Sequence, residues 1–564
     1  MIKPDCSHVE AGVGADAPPS LRHRGRRGTP VAPSRCTLPE VSQRPAIYTS
    51  PRSSDVVAQL IARLDQRLDG LDDVAVQRLL EDTVYQERQR FEDESPTEDE
   101  AKLLARISRL ALDNRRSAWE EACRGCVDAY AREIHNRFSL RAYRMATRLL
   151  PGALTRLVTA PNAGRVISRD FDPRARIRIQ GHVEQVKRLA ERGTVVFTPT
   201  HLSNLDSPLI GYALFSSGLP PVAYGAGLNL FSNPVMEFWM SRLGAYTVDR
   251  RKQGQLYKEA LKGYATELTL RGVHSLFFPG GTRSRSGRVE KRVKKGLLGT
   301  AIVAWQELLA QRAPRSDVFV VPMTLSTSLV LEAETLITDS LAREGKSRYI
   351  ISDDEFSRPR DVASYLSRVL NLDEAVHVTF CQPMDLLGNP VNDDGESLDA
   401  RGRVVDRRGY VCDRDGRPEA DPQRDRVYTD RLARRIVESW HRENVALSTH
   451  VASFAAFQML ADRHPHLDVF HLVHLDPQRR LMERGRLLTA IDDLLIALST
   501  LQQQGRIRTS LPTTAQGILD EAVHTFGSYH TRKALRPEGD WIAADMELTL
   551  YYRNRLVGYG LGDA

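Results

Sequence analysis

A chain of 564 residues, 41% hydrophobic and 27% charged, is too long for one ordinary core and has the composition of a globular protein of two to four domains. Its formal charge of +7, from 79 basic and 72 acidic side chains, is mild; it suits an acidic ligand or an anionic membrane surface and does not call for nucleic acid. No apolar run approaches the roughly 18 residues of a membrane-spanning helix, the start "MIKPDCSHVEAGVGADAPPS" lacks the apolar core of a signal peptide, and six cysteines do not make a disulfide framework, so a cytoplasmic protein is expected.

Residues 1–51 are rich in Pro, Ser, Gly and Arg and poor in apolar side chains, which predicts disorder. Over 52–160, from "SSDVVAQLIARLDQRL" to "RAYRMATRLLPGALTRLV", apolar residues recur every three or four positions among charges, predicting a helical region interrupted near "EDESPTEDE". Cys123 and Cys126 form a CxxC inside this helical pattern with no second pair, so packing is expected there and not zinc or redox chemistry. Over 161–388, strand-like "TVVFTP", "PVAYG", "AYTV", "VHSLFF", "VFVVPMTL" and "VHVTFC" alternate with helix-like segments such as "LYKEALKGYATELTLRG", which predicts an α/β domain. Residues 389–427, charged and glycine-rich, have the composition of a long exposed insertion loop. Residues 428–564, with amphipathic "VYTDRLARRIVESWHREN" and "ERGRLLTAIDDLLIALSTLQQQG", form a C-terminal helical region.

Two stretches of the α/β domain carry chemistry. In "VVFTPTHLSNLDSPL", His201 follows a buried-strand pattern and Asp206 comes five positions later, where Ser207-Pro208 resembles a helix N-cap with proline in the first turn. That puts the pair at a strand's C-terminal end, where α/β sheets present ligand sites. A carboxylate there can orient the imidazole and leave its other nitrogen to take a proton from a hydroxyl. The same spacing recurs at His471 and Asp476, but in the helical C-terminal region, where the two are expected to be surface polar residues. No GxSxG elbow is present, so the chemistry expected is direct attack by a substrate hydroxyl.

The second stretch, "SLFFPGGTRSRSGRVEKRVKKG", also follows a strand. Arg283, Arg285, Arg288, Lys291, Arg292, Lys294 and Lys295 stand there against the single acid Glu290, and paired glycines let the backbone approach a ligand. Guanidinium forks match phosphate oxygens. A nucleotide-binding P-loop is excluded, because the interval from Gly281 to Gly287 is one residue too long and Arg288 stands where Lys is required. Together the two stretches imply an acceptor carrying both a hydroxyl and a phosphate.

"HLSNLD", "GLNLFSNPVMEFWMSRLGAYTVDR", "FFPGGTRSRSGR" and "VVPMTLS", running from His201 to Ser326, resemble in order and spacing the four blocks of the glycerolipid acyltransferase family, the glycerol-3-phosphate and lysophosphatidate acyltransferases. "YGAGLNLF", "VLEAET", "NVALSTHVASFAAFQML" and the ending "ELTLYYRNRLVGYGL" resemble the large glycerol-3-phosphate branch. The resemblance implies a central mixed sheet flanked by helices, with N- and C-terminal helical regions. It makes His201 the general base and Asp206 its orienting partner, places Gly281, Arg283 and Arg285 in the phosphate site with Arg250 beside it, and has Pro322 shape the acyl-donor side. The implied reaction moves a fatty acyl group from acyl-CoA or acyl carrier protein to the sn-1 hydroxyl of glycerol 3-phosphate, without metal or cofactor. The implied setting is the cytoplasmic side of the cell membrane, bound peripherally or monotopically through segments such as "RAYRMATRLLPGALTRLV" and the basic loop. Two positions depart from the pattern. Gly280 stands where an acidic residue is usual, so the loop is expected to be held some other way, and Asp249 in "TVDRR" resembles the lysophosphatidate branch. A lysophosphatidate acyltransferase and a non-catalytic lipid- or phosphate-binding relative are the alternative readings.

Overall fold

The structure, a computed structural model, describes residues 51–93, 95–147, 177–228, 234–344 and 376–562. The expected disorder of the N-terminal segment, and the "LLPGALTRLV" half of the proposed membrane helix, lie outside these residues.

Four helices open the described chain: α1 (Ser53–Asp69), α2 (Asp73–Asp93), α3 (Glu98–Ala111) and α4 (Arg116–Ile134). Thr97 and Glu100 start α3 with a reciprocal capping box, each bonding the other's backbone N–H. Cys123 and Cys126 are buried in α4, where burial pushes the Cys123 thiol up to about 12 and the Cys126 thiol further still. Both are core residues. Arg63 of α1 reaches Glu267 at 2.8 Å and Glu307 at 2.7 Å, tying the helical region to the α/β domain.

The α/β domain runs β1 (Ile177–Gly181), α5 (Val183–Arg192), β2 (Thr194–Pro199), α6 (Asp206–Ser216), β3 (Ala223–Gly227), α7 (Pro234–Arg242), β4 (Ala245–Val248), α8 (Gln255–Leu270), β5 (Ser275–Leu276), α9 (Lys295–Ala310), β6 (Val318–Thr327), α10 (Ala333–Glu344) and β7 (Val376–Phe380). The strands form one sheet in the order β1-β7-β6-β2-β5-β3-β4. β6 and β7 pair antiparallel and the other neighbours pair parallel, so the sheet is mixed and flanked by helices. Its central strands are covered on both faces: all six residues of β2 and all ten of β6 are buried, as continuous apolar runs require. The two-residue period is visible in β2. Val195 and Phe197 pack on one face with α6, while Val196 packs on the other with Leu298, Ile302 and Trp305 of α9. Each such side chain withdrawn from water contributes about 1.5–3 kcal/mol.

The charged segment 389–427 is not the loop expected. A seven-residue turn recurs at Asp385, Asn392, Asp399 and Asp413, where each side chain accepts backbone N–H groups two and four positions ahead. Glycines three positions on, Gly388, Gly395, Gly402 and Gly416, take φ between 74° and 80°. Successive turns stack, with Leu398 N–H bonded to Pro390 O at 2.8 Å and Glu419 N–H to Val411 O at 2.9 Å, and bury Val391 and Val411. The repeat satisfies its backbone polar groups locally, which is why a charged, glycine-rich stretch is ordered here.

The C-terminal region contains α11 (Pro422–Glu443), α12 (Ser448–Arg463), α13 (Val469–Val473), α14 (Arg484–Gln503), α15 (Ala515–Phe526) and α16 (Met546–Arg553). Buried α12 joins the core of the sheet's α6 face. The indole of Trp440 in α11 donates to Thr198 O at 2.9 Å, anchoring this region to the end of β2.

Candidate active site

Four strand ends on one edge of the sheet deliver the polar residues: β2 leads to His201, β4 to Arg250, β5 to Arg283 and β6 to Glu332. All four leave the C-terminal ends of strands, the edge at which open α/β sheets bind ligands.

His201 Nδ1 lies 2.9 Å from Asp206 Oδ2. The same oxygen accepts Leu202 N–H at 2.6 Å and Ser203 N–H at 2.9 Å, so the carboxylate organises the whole turn. Asp206 is fully buried and is the first residue of α6, so the cap falls at Leu205, two residues before the Ser207 expected from the sequence, because Asp206 turns back to 202 and 203. The His201 ring stacks on Phe278, centroids 4.1 Å apart, and its side chain keeps 12% exposure. With Nδ1 committed to Asp206, Nε2 is the atom able to exchange a proton with a bound group. The second sequence pair is different: His471 Nδ1 bonds Asp468 at 2.8 Å, and both side chains are exposed on the surface.

The basic loop closes over this turn. Ser284 N–H donates to His201 O at 2.8 Å, and His201 N–H donates to Glu290 Oε1 at 3.0 Å. Gly281, at φ 81°, takes a conformation that favours glycine and lies under the end of the Lys294 side chain, which a Cβ would have to displace. Gly287, at φ 78°, meets the carbonyl of Tyr551, and Asn554 donates to Ser286 O at 2.8 Å, so the C-terminal region braces the loop. The place expected to hold an acidic residue at 280 is filled from elsewhere in the same loop. A Cβ on Gly280 would come within 3.0 Å of Glu290 Oε1, so the Glu290 carboxylate occupies that volume.

Arg283 Nη1 bonds Glu332 Oε1 at 3.0 Å, and Glu332 also accepts Ser203 Oγ–H at 2.7 Å and Asn204 N–H at 3.0 Å. Arg285 pairs with Asp339 of α10 at 2.7 Å. Burial raises the carboxyl pKa of Glu332, against the opposing charge of Arg283. Arg250 has no carboxylate partner among the described residues. Its pKa is pulled below the ordinary guanidinium range, first by surrounding protein and then by the charge of Arg283. Two cations held within electrostatic reach of each other favour an anion between them. Asp249, buried, clamps Arg251 through Nε at 2.8 Å and its backbone N–H at 3.0 Å.

The structure thus brings together His201, Asp206 and Arg283, with Arg250 within electrostatic reach of Arg283 and Gly281 in the same loop, whereas Arg285 pairs with Asp339 of α10. Pro322 is separate: it is buried within β6, opposite Thr198 of β2, beneath the site and not on its surface. Glu290, Glu332, Asp339 and Phe278 carried no role in the sequence reading. Glu290 was signalled only as the lone acid among seven bases.

A cavity of about 280 Å³ opens beside the turn, lined by Asn204, Ser207, Gly211 and Phe215 with Tyr224 and Trp239. Its lining is mainly apolar.

Residues 179–326 match the family model for Acyltransferase. The α/β domain thus carries an Acyltransferase domain, similar to those of the glycerolipid acyltransferases named below. The chain is 28% identical over 208 residues to a glycerol-3-phosphate acyltransferase of Pseudomonas putida strain W619, covering 37% of this chain and 23% of that protein. It is 32% identical over 157 residues to one of Pseudomonas paraeruginosa strain PA7, covering 28% and 18%. The acyltransferase domain therefore matches less than a quarter of the length of these relatives. Among solved structures it is similar to the 1-acyl-sn-glycerophosphate (LPA) acyltransferase PlsC from Thermotoga maritima, with 15% identity and a TM-score of 0.25, covering 59% of this chain and 85% of that one. Among the described residues no helix is long and apolar enough to cross a membrane.

Proposed function

We propose that this acyltransferase moves a fatty acyl group from acyl-CoA or acyl carrier protein to the sn-1 hydroxyl of glycerol 3-phosphate, giving 1-acylglycerol 3-phosphate. The observation that carries the reading is the His201–Asp206 pair, 2.9 Å apart, set at neighbouring strand ends with Arg250 and Arg283. In this mechanism the acceptor's phosphate lies between the two guanidiniums and its hydroxyl points at His201 Nε2. The imidazole takes the hydroxyl proton as the oxygen attacks the thioester carbonyl, and buried Asp206 stabilises the imidazolium. Collapse of the tetrahedral adduct breaks the carbon–sulfur bond, and the leaving thiolate recovers the proton from His201. The acyl chain occupies the apolar cavity along α6.

Phe215 of the cavity lining is exposed, and so is Met145, which adjoins the lining residue Ala146 in a segment that also carries the exposed Arg141 and Arg144. This apolar and basic combination suits contact with an anionic membrane surface. Recovery at the bottom of a flotation gradient with anionic liposomes at low salt would refute that contact.

A second acceptor, 1-acylglycerol 3-phosphate, is favoured by one observation. Asp249 ties up Arg251, leaving Arg250 alone of the paired arginines to face the site. The deciding experiment offers labelled palmitoyl-CoA with each acceptor in parallel, with His201→Ala as control. Labelled lysophosphatidate from glycerol 3-phosphate alone supports the main reading, and phosphatidate from the second acceptor alone replaces it. Equal product from His201→Ala refutes the assignment of the base.

A further inference from the structure

Both backbone groups of His201 are held by the basic loop, the C=O by Ser284 N–H at 2.8 Å and the N–H by Glu290 Oε1 at 3.0 Å. The first contact is backbone to backbone and survives most substitutions. The second depends on one side chain. Although the Glu290 residue as a whole reaches the surface, its carboxylate is enclosed, with Oε2 buried. The absence of a side chain at position 280 eases its fit: a Cβ there would stand 3.0 Å from Oε1 and 3.3 Å from Cγ of Glu290, so the carboxylate would have to give way by a few tenths of an ångström. A backbone N–H that lost this acceptor would be left unsatisfied beneath the catalytic ring.

The charges around this carboxylate are few. Arg555, buried in the C-terminal region, donates to Leu325 O at 2.6 Å and acts electrostatically on Glu290. Burial raises the Glu290 carboxyl pKa, the charges of Arg555 and His201 oppose that shift, and Lys294 of the same loop lies over Gly281. A fixed carboxylate at the His201 backbone therefore does two things. It sets where the ring stands above Phe278, and it adds negative potential that favours the imidazolium formed during the reaction.

We infer that Glu290 is a positioning residue for His201, and that Gly280 and Glu290 work as one unit in which the missing side chain admits the carboxylate. The inference rests on His201 being the proton-accepting group. It concerns a residue outside the dyad and outside the arginine set, and it separates the lone acid of the loop from the seven bases around it.

The test measures kcat, KM for glycerol 3-phosphate and the pH dependence of kcat/KM in the full-length chain. The variants are Glu290→Gln, Glu290→Ala, Gly280→Ala and His201→Ala, with circular dichroism and thermal melting to show which of them fold. Glu290→Gln keeps an acceptor for His201 N–H and removes the charge. It is expected to retain most of kcat while the acidic limb of the profile moves to lower pH by up to about one unit. Glu290→Ala and Gly280→Ala, which remove or displace the acceptor, are expected to lower kcat by about ten- to a hundredfold with acceptor KM little changed, as misplacement of a reacting group does. A merely structural role would change melting without moving the profile.

The inference is overturned if folded Glu290→Gln and Gly280→Ala keep both the parent kcat and the parent pH profile, or if the whole effect falls on acceptor KM. A dead His201→Ala beside normal Glu290 variants refutes the inference alone. A fully active His201→Ala refutes the site reading and the inference with it.

Discussion

Replacing Asp206 by Asn leaves the shape of the dyad unchanged and removes its charge, which separates geometry from electrostatics. In the parent, Oδ2 accepts three hydrogen bonds, from His201 Nδ1 and the N–H groups of Leu202 and Ser203, while Oδ1 is buried with no partner among the described residues. An asparagine oxygen in the Oδ2 place keeps the three bonds as a neutral acceptor. Its NH2 then falls where Oδ1 was, a buried donor without an acceptor, which costs about 1–3 kcal/mol of stability. The effect on the reaction is separate. Opposite unit charges about 4 Å apart attract by about 4 kcal/mol at an effective dielectric near 20, and part of this is recovered by the neutral bond. The barrier is therefore expected to rise by about 2–4 kcal/mol, a loss of roughly thirty- to a thousandfold in kcat. The assay is kcat at saturating glycerol 3-phosphate and palmitoyl-CoA, with urea unfolding alongside. A folded Asp206→Asn within about threefold of the parent would refute the role of Asp206 as the charge partner of His201.

Arg250→Ala should raise KM for the phosphorylated acceptor by about ten- to a hundredfold, the equivalent of one charge-assisted bond of about 1.5–3 kcal/mol. The urea midpoint should barely move, because no carboxylate depends on Arg250 among the described residues; steady-state kinetics showing an unchanged KM would refute its place in the phosphate site. Gly281→Ala forces a φ of 81° on a residue with a side chain and drives its Cβ to 2.6 Å from the Lys294 stem. It should cost about 1–2 kcal/mol and raise acceptor KM, which kinetics and unfolding together would check. Stability should also fall with acid. Burial holds the imidazoles of His274 and His530 down to about 4 and that of His450 to about 3, against an ordinary 6.5. These groups stay neutral in the folded chain, so the stability they permit is complete above pH 6.5 and is lost as pH falls, when the unfolded chain binds protons the folded one refuses. At pH 5 each histidine accounts for about 2 kcal/mol. Urea midpoints that stay flat between pH 7 and 5 would contradict this.

What the sequence made legible was the part encoded locally. The run "TVVFTP" marks β2 by its apolar continuity, and a strand's end fixes where the next residues emerge, so His201 and Arg283 could be placed on the same sheet edge before any contact was known. The α6 start lies two residues earlier than expected because a local N-cap pattern at Ser207-Pro208 cannot show that Asp206 is already committed to the turn behind it. The ordered turns of the insertion were hidden by composition: charge and glycine suggest a loop, and only the seven-residue spacing of Asp and Asn with glycine three positions later shows that each side chain closes its own turn. Glu332 and Glu290 were out of reach for a different reason. Glu332 meets Ser203 across 129 positions and Glu290 meets His201 across 89, and no periodicity reports a partner at such distances.

Those distant carboxylates explain how a site assembled from four strand ends keeps one geometry. Glu332 bonds Ser203 and Asn204 of the turn that carries the dyad and, through the same carboxylate, Arg283 of the basic loop. In the proposed mechanism, the separation between the proton acceptor and the phosphate cation is set by this buried three-way junction, not by two independent loops. Such control matters for this chemistry, because an acceptor held by its phosphate presents its hydroxyl at a fixed distance, and an error of about 1 Å can cost a hundredfold in rate. Arg283 is held to that junction by the bond from its Nη1 to Glu332 at 3.0 Å. Arg250, with no carboxylate partner among the described residues, supplies the uncompensated charge. In the proposed mechanism the fixed Arg283 sets position while Arg250 sets attraction, because Glu332 pairs the first and no carboxylate among the described residues pairs the second.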